Sequence, residues 1–152
     1  TANPGSQSKQ PQAEAETVVC RIEIECKNIA DGSKVTNAAI LPYIPKDGVI
    51  LPKTQVSFAQ GDTAFDVLQR VSIAADIQLE SSWTPMYDSS YIEGINHLYE
   101  FDCGKESGWM YKVNDWFPNY GCSRYQVQPG DVICWVYTCD LGYDVGGGFM
   151  GG

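Results

Sequence analysis

From Val18 to Cys26 the chain alternates, with Val18, Cys20, Ile22, Ile24 and Cys26 interleaved by Val19, Arg21, Glu23 and Glu25. A period of two over this length predicts a half-buried strand with both cysteines on its buried face. The alternation then stops at Asp31-Gly32, Pro42, Pro45 and Asp47-Gly48, which read as loop and turn. Val49–Leu51 and Gln55–Phe58 read as short strands around Pro52, and a proline there belongs at a sheet edge. Over Asp62–Ile77 the period lengthens. Ala64, Leu68, Val71 and Ala75 form one stripe flanked by Phe65 and Val67, behind a Thr63/Asp66 capping box. This is the pattern of a helix lying across a sheet.

Beyond the helix the pattern is β-like, with strands expected at Tyr91–Ile95, His97–Phe101 and Trp109–Val113. Asn114-Asp115 suits a tight turn, because both residues tolerate left-handed backbone angles. Gln128-Pro129-Gly130-Asp131 suits a type II turn. Val132–Thr138 is continuously apolar, as expected of a central strand covered on both faces. One helix on a mixed sheet whose last strand is central predicts an α+β, β-grasp-like fold, with first and last strands parallel neighbours. Residues 17–145 form this domain. Residues 1–16 lack any aliphatic larger than alanine and read as a disordered linker, a spacer of the kind that leads to a membrane or wall anchor. Residues 146–152 read as a flexible Gly-rich tail.

Composition narrows the function. The 152 residues carry a net charge of -9, and no cluster of Lys and Arg offsets it. That balance argues against a nucleic-acid backbone and against anionic lipid as partners. No apolar run is long enough for a transmembrane segment. Six cysteines without a CxxC, beside a single histidine, argue for disulfides and export rather than a metal site.

Six cysteines permit 15 connectivities. Cys20 and Cys26 lie roughly 20 Å apart along one extended strand, too far to bond. Cys134 and Cys139 are excluded likewise if the last strand stays extended, leaving about ten arrangements. Among these, parallel first and last strands would suit Cys20 with Cys134 and Cys26 with Cys139. Cys103 with Cys122 would then close the loop around Trp109.

Catalytic chemistry is not expected. His97 could in principle serve a Cys103 nucleophile, but no motif places them together. Asp140 and Asp144 lack the acidic spacing of a calcium loop. Glu23 and Glu25 read as a solvated strand face. The informative segment is Ser107–Tyr125, where Trp109 and Tyr111 share one strand face and Trp116, Phe117 and Tyr120 fall in a loop. Strand aromatics usually pack a core, whereas loop aromatics without periodicity suit recognition, since rigid rings lose little entropy on binding.

Gly61, Phe65 and Leu68, then Gly108-Trp109-Met110-Tyr111, Val113-Asn114, Pro118, Gly121, Tyr125, Gly130-Asp131, Ile133 and Trp135 carry a family resemblance. Over roughly residues 55–145 the chain resembles the C-terminal β-domain of transcobalamin and intrinsic factor, with its relatives in bacterial surface proteins and lipoproteins. The resemblance implies a β-grasp-like fold, a place at the extracellular surface of a bacterium, and corrinoid-binding ancestry. In the animal carriers cobalamin lies between this domain and a separate helical barrel, so this domain offers at most half of such a site. Relatives commonly have Asn-Gly where this chain has Asn114-Asp115.

Two functions follow as expectations. One is an exported surface module binding a small ligand such as a corrinoid through Trp109, Tyr111, Asn114, Trp116, Phe117, Tyr120 and Tyr125, with no bound cofactor or metal. The other is a protein-interaction or adhesion module using the same aromatic loop. A deep pocket beside Trp109 and Trp116 would favour the first, and a flat apolar patch the second.

Overall fold

The computed structural model describes residues 17–86 and 88–147. The predicted linker, residues 1–16, and the tail from residue 148 onward lie outside the described residues.

Strand β1 (Thr17–Glu25) runs through the middle of a four-stranded sheet together with β7 (Val132–Thr138). The two are parallel, as their patterns predicted, and the outer strands β2 (Val49–Ala59) and β6 (Gly108–Val113) are antiparallel to them, giving the order β2-β1-β7-β6. Residues 26–48 connect β1 to β2 through two short 3-10 turns, Lys27–Ile29 and Ala38–Tyr43. β2 is one strand rather than two. Its register on β1 shifts between Ile22, opposite Thr54, and Ile24, opposite Leu51, so Pro52 falls in an irregularity of an edge strand. There its missing N–H breaks no ladder.

The helix α1 (Ala64–Ala74) begins at the predicted cap. Thr63 Oγ1 accepts from the Asp66 amide at 3.2 Å, and the Asp66 carboxylate accepts from the Thr63 amide at 2.9 Å. Aspartate therefore completes the box despite its shorter reach. Ala64, Val67, Leu68 and Val71 are buried, while the expected stripe member Ala75 is the exposed C-cap, and Asp76 then turns left-handed at φ +57°. Next comes an antiparallel three-stranded sheet of β3 (Leu79–Thr84), β4 (Ser89–Ile95) and β5 (Leu98–Tyr99). Asn96 and His97 take positive φ in the β4–β5 turn, so the strand expected from His97 starts one residue later.

One face of the large sheet makes the core. Cys20, Ile22 and Ile24 of β1 lie beside Ile133, Trp135 and Tyr137 of β7 and Trp109, Tyr111 and Val113 of β6, all buried. Helix α1 and the inner residues Ile92, Ile95 and Leu98 of the small sheet join the same core. Tyr137 is wholly buried, yet its hydroxyl donates to Tyr99 O at 2.7 Å and meets Ser107 Oγ at 3.1 Å. A buried phenol satisfied in this way keeps the large apolar benefit of its ring.

All six cysteines carry free thiols in this structure, five of them buried. The parallel register explains why the expected Cys20–Cys134 bridge is not formed. Cys134 aligns with Glu23, three residues past Cys20 and on the opposite sheet face, and its Sγ lies 3.9 Å from Glu23 Oε1. Cys122 sits over β4, 3.6 Å from Ser90 O, and does not meet Cys103. Cys139, expected to pair with Cys26, instead lies near enough to Cys103 for the two thiols to influence each other.

Candidate functional site

The aromatic segment is organised by its turn. Asn114 and Asp115 both have positive φ, 53° and 69°, and Val113 and Trp116 exchange both backbone hydrogen bonds across them, at 2.8 and 2.9 Å. This is the two-residue turn the dipeptide predicted, with aspartate where glycine fits more easily. The turn is clamped to the start of β7. Asn114 Nδ2 donates to Asp131 Oδ1 at 3.0 Å, and Asn114 Oδ1 accepts from the Val132 amide at 2.9 Å. Asp131 is buried and also accepts from the Tyr125 hydroxyl at 2.6 Å and the Gln128 amide at 2.8 Å. Burial, followed by the Asp131 carboxylate, pushes the Tyr125 phenol well above its ordinary pKa. Asn114 and the Tyr125 hydroxyl are thus committed to the scaffold.

Besides Asn114, the structure divides the sequence-predicted site residues into three groups. Trp109 and Tyr111 are core residues at 7% and 8% exposure. Trp109 Nε1 donates to Leu98 O at 2.8 Å and the Tyr111 hydroxyl to Tyr120 O at 2.8 Å, so their polar atoms are occupied as well. Their rings pack on Tyr137 and Trp135 of the central strand. Trp116, by contrast, is 52% exposed and Tyr120 39%. Trp116 meets the Tyr120 and Tyr125 rings edge-on, at centroid distances of 6.2 and 6.5 Å. Trp116 and Tyr120 face solvent beside the half-buried Tyr125, which packs against the core. Phe117 points elsewhere: the Lys112 ammonium lies 5.8 Å from its ring centre, and Gly147 packs so closely that a Cβ there would lie 3.1 Å from the ring. Gly147 is buried, so the start of the predicted tail is packed against the domain.

Sequence reasoning missed a concavity of about 460 Å³ on the other face of the large sheet, lined by Glu23, Glu25, Lys53, Lys112, Asp115 and Cys134 among others. Its walls pair charges loosely, with Lys27 at 4.0 Å from Glu23 and Lys112 at 3.9 Å from Asp115. The Cys134 thiol at its floor is pushed up to about 12 by burial, then by Glu23 and Glu25, and is a poor nucleophile. The hairpin tip, Asn114-Asp115, is a wall of this concavity, and Trp116 follows it directly in the chain. The alternation of Glu23 and Glu25 was legible, but the Lys112 and Cys134 opposite them required the strand register.

The catalytic alternatives do not assemble. His97 stacks on Tyr43 at a centroid distance of 4.2 Å, whereas Cys103 meets Cys139 and Tyr137. Asp144 is tied by its own chain, accepting from Thr138 Oγ1, the Cys139 amide and Asn28 Nδ2. Among the described residues no group of three or more His, Cys, Asp or Glu side chains could hold a metal ion, and no helix is long and apolar enough to cross a membrane.

A mixed sheet with parallel central strands, one covering helix and an aromatic hairpin define an α+β domain. The family model "Domain of unknown function (DUF4430)" matches residues 61–139, and the chain belongs to that family. The matched stretch runs from the helix cap to the end of β7 and includes the whole aromatic hairpin. Among solved structures, haptocorrin in complex with Cbi is similar over 91% of this chain, with a TM-score of 0.61 and 13% identity. This chain covers 27% of that one. A protein of Ruminococcus gnavus ATCC 29149 described as metal binding is similar over 80% of this chain and 96% of its own, with a TM-score of 0.50 and 10% identity. At such identities these likenesses are of fold. No curated protein matches the sequence.

Proposed function

We propose that this chain is a β-grasp-like, exported binding module of a bacterial surface, non-catalytic, which takes a small ligand of the corrinoid class at the Trp116–Tyr120–Tyr125 cluster. The observation that carries the proposal is the exposure of Trp116 on a hairpin held rigid by Asn114 and Asp131. A large ring kept in water by a fixed backbone forfeits apolar burial that a ligand would restore, and little ordering entropy opposes contact. The fold shared with haptocorrin, a protein solved with Cbi bound, supports the choice of ligand class. Because this chain matches only 27% of that chain, the lone domain supplies part of a site, and its affinity is expected at roughly micromolar or weaker. Export, and anchoring through residues 1–16, belong to the same proposal.

Titration with hydroxocobalamin tests this, following the visible spectrum of the ligand and the tryptophan fluorescence corrected for ligand absorption. A saturable change is expected, and its absence up to about 100 μM leaves no usable corrinoid site. A second reading has its own support: the cluster is open, so the same rings could dock a partner chain. A protein that captures a partner through Trp116 yet ignores corrinoids would decide for that reading.

A further inference from the structure

We propose that Cys103 and Cys139 form a disulfide by exchange with a low-molecular-weight disulfide, while the other four cysteines stay reduced. The inference is independent of any ligand. It replaces the pairings expected from strand spacing with the pair of cysteines that the fold brings to one junction. Gly108, the first residue of β6, pairs with Thr138, the last residue of β7, so the loop before one strand and the turn after the other leave the sheet at the same place. The segments are joined there by the Leu141 amide donating to Glu106 O at 3.1 Å, and Ser107 Oγ links the Cys103 amide to the Tyr137 hydroxyl, both at 3.1 Å. Cys103, whose amide bonds Ser107 Oγ, and Cys139, which follows Thr138, therefore flank the same junction, near enough for the two thiols and the Tyr137 hydroxyl to influence one another. The remaining cysteines face other neighbours: Cys20 lies in the ladder opposite Val56, Cys26 beside Gly48, Cys122 against Ser90 and Cys134 against Glu23.

Exposure sets the order of steps, because Cys139 is the one cysteine of the six that is not buried. Its thiol loses a proton, and the thiolate attacks one sulfur of the small disulfide, breaking that bond and releasing one small thiolate. Cys103, whose thiol burial pushes up to about 12, passes its proton to the departing small thiol as it attacks the neighbouring Cys139 sulfur of the mixed disulfide, forming the Cys103–Cys139 bond and expelling the second small thiol. Two protein thiols give up two electrons and two protons, and the small disulfide takes up both to become two thiols. The product fastens the loop before β6 to the turn after β7, which is already held by Asp144.

The test is incubation of the full chain with oxidised glutathione, then alkylation after denaturation and peptide mapping without reduction. One bridge, Cys103 to Cys139, with the other four cysteines alkylated, is the expected result, with a Tm rise of roughly 5–10 °C that a dithiol reductant reverses. Cys103→Ser should stop at a glutathione adduct on Cys139, and Cys139→Ser should abolish oxidation. Should the buried Cys103 variant fail to fold, Cys139→Ser at the partly exposed position decides by the same map. A bridge through any other pair, a stable adduct on wild-type Cys139, or a chain that stays fully reduced overturns the proposal.

Discussion

Replacing Asn114 isolates what fixes the aromatic hairpin. Asn114→Ala removes the amide that donates to Asp131 at 3.0 Å and the oxygen that accepts from Val132 at 2.9 Å. Two partly exposed hydrogen bonds contribute about 1 kcal/mol each. Alanine must also hold φ +53°, which costs about 1 kcal/mol more. The expected loss is therefore about 3 kcal/mol. Asn114→Gly loses the same bonds but accepts the left-handed backbone, so its loss should be about 1 kcal/mol smaller. Urea unfolding followed by far-UV circular dichroism measures both, with an unchanged m-value confirming that the end states are comparable. Asn114→Ala within about 0.5 kcal/mol of wild type would refute the clamp. Equal losses for the two variants would refute the backbone contribution.

Three further outcomes follow from neighbouring geometry. Asp115→Gly should raise stability by about 0.5–1 kcal/mol in the same assay, because Asp115 holds φ +69° with a side chain 96% exposed and only a 3.9 Å contact to Lys112 to lose. Gly121→Ala should destabilise by about 1–3 kcal/mol, since a Cβ there would overlap the Ser89 side chain, which is held by Ser123. Burial would raise the Asp144 carboxyl, but donation from Thr138, the Cys139 amide and Asn28 outweighs it and holds the pKa below its ordinary value. A depressed carboxyl contributes stability above its unfolded pKa and loses it as pH falls through the folded one, so Asp144→Asn should flatten the loss of Tm below about pH 4.

What the sequence made legible was local. The alternation of β1, the Thr63/Asp66 cap, the Asn114-Asp115 and Gln128–Asp131 turns and the limits of β7 each depend on a few consecutive residues, and each stands in the structure. The parallel pairing of first and last strands followed from their apolar patterns. Strand β3 was missed because both its faces carry exposed positions, Trp83 among them at 58%, so no buried stripe marks it. Trp109 and Tyr111 were named as ligand contacts although their alternation with Met110 and Lys112 was itself the signal of burial. The cysteine pairings failed on register: strand spacing cannot reveal that Glu23, not Cys20, lies opposite Cys134. The charged concavity was hidden for the same reason, because its walls come from several strands.

Parallel titrations of hydroxocobalamin into wild type, Trp116→Ala and Trp83→Ala test the central claim most directly. Trp83 is as exposed as Trp116 but lies on β3, so it controls for nonspecific contact with an exposed ring. Saturable binding by wild type and Trp83→Ala is expected, with Trp116→Ala weaker by about 2 kcal/mol, roughly thirtyfold, and unchanged in its unfolding midpoint. Equal binding by all three proteins, or none by wild type up to about 100 μM, would contradict a corrinoid site at the aromatic hairpin.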